Sequence, residues 1–149
     1  QTIGEGVEAY RDQEWVTVYN KAVDLLQKEK VEEAEEQLEI AILLQPEKVE
    51  NYGTLSAIYI KKNNFDEALI VINRGLKMDN NSPSLYLLKA GIFEQKHELE
   101  SAKEFYLKAI EYSKDPGPIM RQLLFVYIDL GENKQAISYS DELINKYHP

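Results

Sequence analysis

At 149 residues, with 44% hydrophobic and 29% charged side chains, the chain can bury a sizeable core and is too ordinary in composition for a collagenous or low-complexity polymer. A formal net charge of −9 argues against nucleic-acid binding, because a polyanion would be repelled, and favours cationic or amphipathic protein partners. The absence of Cys excludes disulfides, thiolate metal sites and cysteine nucleophiles. The longest apolar run, Leu38–Leu44, is interrupted by Glu39 and stops at Gln45-Pro46, so no membrane insertion is expected. The sequence starts at Gln1, which reads as a processed chain or an excised fragment. The compartment stays open between cytoplasmic and exported.

Taken in chain order, Ile3, Val7 and Tyr10 follow i, i+4, i+7 spacing and predict a short N-terminal helix over residues 1–14. It could extend the helix that follows, cap the end of a helical stack, or dock into a neighbouring groove. Amphipathic patterns then predict helices over 15–28, 31–44, 48–61, 65–78, 83–95, 99–113, 117–129 and 133–146. Lys62-Asn63-Asn64 and Leu130-Gly131-Glu132 are the expected tight turns, since Asn and Gly tolerate left-handed backbone. Pro46, Pro83, Pro116 and Pro118 punctuate the boundaries between helix pairs. No segment alternates convincingly as a strand, so the expected class is all-α.

The helices repeat. Ala34, Ala68, Ala102 and Ala136 are spaced 34 residues apart, each preceded by a similar quartet: Val31-Glu-Glu-Ala34, Phe65-Asp-Glu-Ala68, Leu99-Glu-Ser-Ala102 and Asn133-Lys-Gln-Ala136. Tyr59, Phe93 and Tyr127 keep the same interval upstream, with Leu25 in the first copy. Leu38, Ile72 and Tyr106 follow four residues after the alanine, and Ala41, Gly75 and Ala109 three residues later again. Small side chains at such positions let helices approach closely, while large ones fill the grooves between ridges.

These residues resemble the tetratricopeptide repeat (TPR) over all but the first fourteen positions, as four copies at 15–48, 49–82, 83–116 and 117–149. The fourth departs most, with Leu124 and Leu143 at small positions and Ser140 at a large one. The resemblance implies a right-handed superhelical solenoid of antiparallel helix pairs, acting as a non-catalytic protein-interaction scaffold whose concave groove takes a peptide or helix of a partner. It places Tyr19, Val23, Leu26, Gly53, Ala57, Ile60, Leu87, Leu88, Gly91, Arg121, Phe125 and Ile128 in that groove, with Asn20, Gln27, Thr54, Lys61, Gln95, Gln122 and Asp129 as polar companions. The lining is more apolar than a solvated face needs, and Gly53, Ala57 and Gly91 would leave a hollow for an amphipathic helix or an extended segment. Some of the same side chains would also serve as core between repeats. In TPR domains that clamp chaperone tails, a set of Lys, Asn and Arg grips the terminal carboxylates. The matching positions here hold Tyr19, Val23, Gly53, Ser84 and Leu88, with neither amide nor cation.

Nothing in the sequence supplies catalysis. His97 and His148 each lack a second ligand at metal spacing, and no phosphate loop, nucleophile elbow or HExxH occurs. No cofactor is expected. Glu32, Glu33, Glu35, Glu36 and Glu39 read as a solvated outer face or a docking patch for a basic partner. The alternatives to an adaptor are homotypic assembly, such as a homodimer through exposed terminal repeats, and a regulatory segment of a larger protein.

Overall fold

The computed structural model describes residues 2–147; Gln1, His148 and Pro149 lie outside it, and with them the sequence reading of His148. The described residues form eight helices: α1 (Ile3–Gln27), α2 (Val31–Leu44), α3 (Val49–Lys61), α4 (Phe65–Met78), α5 (Pro83–Gln95), α6 (Leu99–Tyr112), α7 (Gly117–Asp129) and α8 (Asn133–Tyr147). No strand occurs among the described residues. Predicted and observed helix ends differ by a residue at most, except at α1. There residues 3–14 run without a break into the first repeat helix, giving one helix of 25 residues. Its start is a capping box: the Thr2 hydroxyl accepts from the Glu5 amide, and the Glu5 carboxylate accepts from the Thr2 amide at 2.8 Å. Ile3, Val7 and Tyr10 remain exposed on this first stretch.

The helices gather into two compact units, one running to Asn80 and the other beginning at Asn81. In the first, α1 packs on α2, α2 on α3 and α3 on α4; in the second, α5, α6, α7 and α8 pack in the same succession. The turns within pairs are too short for anything but antiparallel neighbours. All four repeat alanines are buried, with Ala34, Ala68 and Ala102 fully enclosed and Ala136 7% exposed. The methyl group is what the helix crossings tolerate. Around these alanines, Leu25, Leu38, Ile42 and Leu55 fill the first core, and Tyr106, Ile119, Leu123, Val126 and Tyr127 fill the second.

Each pair closes through the same turn. Among the described residues, those with positive φ are Glu29 (60°), Asn63 (56°), His97 (58°) and Gly131 (74°), again at an interval of 34. After each, an amide reaches back to close the helix end: Lys30 to the Leu25 carbonyl, Asn64 to Tyr59, Glu98 to Phe93 and Glu132 to Tyr127, at 2.8–2.9 Å. This is a Schellman-type ending, which needs a left-handed residue. Asn63 and Gly131 are the residues the sequence favours there. Glu29 and His97 take the same conformation although their side chains oppose it, because the surrounding helices impose the turn.

Candidate functional site

The residues expected to bind fall on the first helix of each pair, and none of them is fully buried. In the first unit they lie on α1 and α3. Tyr19 stacks on Trp15, with ring centroids 5.3 Å apart, and its hydroxyl shares a 2.8 Å hydrogen bond with Thr54, tying α1 to α3. Beyond that bond the two helices and the turn after α1 bound a cleft of about 450 Å³. Leu26, Val31, Ala57 and Ile58 give it apolar walls, and Thr54, Glu29, Lys61 and Lys62 give it polar ones.

Leu26 and Ala57, expected in a partner-binding groove, line this cleft, as do Thr54 and Lys61. Tyr19, Val23, Gly53 and Ile60 are partly exposed on the same two helices without lining the cleft. Val31, Ile58, Glu29 and Lys62 were missed. Their signal was available: Ile58 follows Thr54 by four residues and precedes Lys61 by three, so it shares their helix face. The Lys62 ammonium is engaged by the Glu35 carboxylate, whose hydrogen bond raises the ammonium's pKa above its ordinary value. Glu32 stands 3.8 Å from the same ammonium with its own side chain 84% exposed.

In the second unit the expected residues lie on α5 and α7. Leu87 is half-buried and packs against the core, so it serves stability at least as much as contact. Leu88 and Gly91 are partly exposed; a methyl group added at Gly91 would meet nothing within 4 Å. On α7, Phe125 is 64% exposed and Ile128 51%, one turn apart, with Arg121 exposed one turn earlier. Glu94, on the α5 face, accepts a 2.5 Å hydrogen bond from the Tyr106 hydroxyl. Burial, reinforced by that carboxylate, raises the Tyr106 pKa.

Among the described residues, no group of three or more His, Asp or Glu is disposed to hold a metal ion. No helix among them is long and apolar enough to cross a membrane. His97 is exposed at its turn. What the chain offers is surface: partly exposed apolar side chains on paired helices, the arrangement of a helical-repeat binding module.

Comparison with known proteins sharpens that class. Two family profiles, both described as tetratricopeptide repeat, match residues 25–92 and 83–116, together more than half of the chain. The protein belongs to the tetratricopeptide-repeat family, with an all-α, TPR-like fold. No curated protein matches the sequence. Among solved structures, PilF of Pseudomonas aeruginosa is similar over 91% of this chain and 62% of its own, with a TM-score of 0.75 at 18% identity. A tetratricopeptide repeat protein of Parabacteroides merdae is similar over 92% and 55%, with a TM-score of 0.78 at 19% identity. The first TPR of Spaghetti (RPAP3), bound to the HSP90 peptide SRMEEVD, is similar over 80% and 94%, with a TM-score of 0.70 at 16% identity. At these identities the likeness is one of fold. The chain spans less than two thirds of the PilF and Parabacteroides chains it resembles. TPR domains are generally non-catalytic modules for protein interaction.

Proposed function

We propose that the protein is a non-catalytic adaptor that holds a peptide or helix of a partner protein on the concave faces of its repeats. The observation that carries this is the cleft between α1 and α3, whose walls of Leu26, Val31, Ala57 and Ile58 fit an aliphatic side chain. The exposed Phe125 and Ile128 on α7 give the second unit an apolar contact of its own. A chaperone tail gripped by a carboxylate clamp is not the expected ligand, since Tyr19, Val23, Gly53, Ser84 and Leu88 stand where that clamp needs amides and cations.

The test is a variant scan against a partner identified by affinity capture. Ala57→Trp, Phe125→Ala and Ile128→Ala alter exposed positions and should each weaken binding at least several-fold while helix content and melting are kept. Undiminished binding by all three would refute the assignment. Leu87→Ala is a poorer probe, because its loss of core packing mixes stability with contact.

A second reading, homotypic assembly, draws on α8, where Ile137 (64% exposed) and Ile144 (57%) lie two turns apart on one face. Light scattering over a concentration series separates the two. A strict monomer at high concentration removes self-assembly, whereas a dimer that Ile137→Lys dissolves supports it.

A further inference from the structure

The chemistry of the ligand can be taken further than its apolar anchor, on the basis of the proposed binding role. Residues 1–80 hold sixteen Asp and Glu against nine Lys and Arg, so the first unit carries −7 of the chain's −9. A field of that sign slows acidic partners and steers basic ones. The cleft itself has a mixed rim, Glu29 against Lys61 and Lys62, with the two signs on different sides. Its turn side presents Glu29, exposed at the left-handed position after α1. Among the described residues the Glu29 carboxylate enters no ion pair. Glu32, outside the cleft lining on the first turn of α2, is 84% exposed and stands 3.8 Å from the Lys62 ammonium. On the opposite, α3 side, Lys62 is already engaged by Glu35, which leaves Lys61 as the cation facing solvent.

From this arrangement we infer that the α1–α3 cleft takes a basic amphipathic segment of a partner protein. One aliphatic side chain sits against Leu26, Ala57 and Ile58, and a Lys or Arg of the segment pairs with Glu29 and Glu32. The asymmetry of the rim sets the polarity: the segment's cations face the turn after α1, and its uncharged or acidic side faces Lys61. Binding of this kind weakens with salt, because both carboxylates are open to solvent.

The experiment uses the full chain and three fluorescein-labelled helix-forming peptides. They share one length and one leucine pattern and carry lysine, glutamate or glutamine on the polar face. Affinity is read by fluorescence anisotropy, and the site by backbone amide shifts. The lysine peptide should bind tightest, shift the amides of Leu26, Val31, Ala57 and Ile58, and lose affinity as salt rises. Glu29→Lys should weaken it about tenfold, and Ala57→Trp should abolish the cleft shifts. Glu29→Gln, with the same strained backbone, separates loss of charge from disturbance of the turn and should retain the fold while losing several-fold in affinity.

Equal or tighter binding of the glutamate peptide in the cleft overturns the basic-ligand inference and leaves the adaptor reading standing. Lysine-peptide shifts confined to the Glu33 and Glu36 face of α2 overturn it too, since they would mark adsorption to an acidic ridge. If no peptide moves the cleft amides, the inference fails, and the adaptor reading is then decided by the Phe125 and Ile128 variants against a captured partner.

Discussion

The Trp15 indole donates a 2.9 Å hydrogen bond to the side-chain oxygen of Asn51, 36 residues further along the chain. Asn51 is fully buried, and its amide nitrogen donates to the carbonyls of Ala41, at 3.3 Å, and Gln45, at 3.0 Å. One side chain thereby ties α1 to the end of α2 and the start of α3. Nearby, Gln45 donates to Asp12 and Arg11 donates to the Leu44 carbonyl, both at 2.6 Å, so the same corner holds the long first helix in register. Removing Asn51 would strand the Trp15 N–H, while the Ala41 and Gln45 carbonyls keep their backbone donors, the Gln45 and Lys48 amides.

Asn51→Ala should therefore destabilise the protein by about 2 kcal/mol, because the indole N–H loses its acceptor and two carbonyls each lose one of two donors. Trp15→Phe keeps the ring and loses one bond, and should cost about 1 kcal/mol. Urea midpoints measure both. Equal and small effects would mean that water replaces Asn51 without penalty.

Helix crossings at the repeat alanines leave no room for extra methylenes. Ala68→Leu should cost about 1–3 kcal/mol by overpacking, whereas Leu43→Ala on the exposed side of α2 should stay within about 0.5 kcal/mol. Matching thermal shifts for the two variants would put Ala68 in the wrong register.

The four left-handed turn residues invite opposite substitutions. Gly131→Ala should lose about 1 kcal/mol, because alanine resists the φ of 74°. His97→Gly should gain up to about 1 kcal/mol by relieving the same strain at 58°. Thermal melts of the pair test whether the turn or the side chain governs the helix ending.

Burial raises the pKa of Tyr52, Tyr59, Tyr106 and Tyr139 and makes the fold sensitive to alkali, Tyr106 and Tyr139 most. Burial raises the Tyr139 pKa to about 12 from 10.0, helped by the neighbouring Tyr127, and burial also raises that of Tyr106. A phenol whose folded pKa is raised contributes stability that is intact below the unfolded value and is lost as pH rises through the folded one. Urea midpoints should therefore hold up to about pH 10 and fall above it, with the Tyr139 contribution lost by about pH 12. Tyr139→Phe and Tyr106→Phe should each flatten the alkaline limb, and an unchanged limb in both would contradict this origin.

The 34-residue spacing of Ala34, Ala68, Ala102 and Ala136 was enough to give the helix pairs and the family, because close helix crossings admit only small residues and so leave a periodic mark on the chain. The places of Leu26, Ala57, Thr54 and Lys61 on the first helices of their repeats were likewise legible, and these four line the α1–α3 cleft. Other features appear only when the helices are packed. Asn51 is one polar residue among many until α1 and α2 enclose it, and Glu29 and His97 carry no left-handed signal of their own. The unbroken run of α1 through residues 3–14, the Tyr19–Thr54 bond and the inclusion of Ile58 in the cleft also depend on neighbours distant in sequence. Local pattern records which positions must be small or apolar; which polar atoms meet, and which apolar ones stay uncovered, is settled by the packing of whole helices.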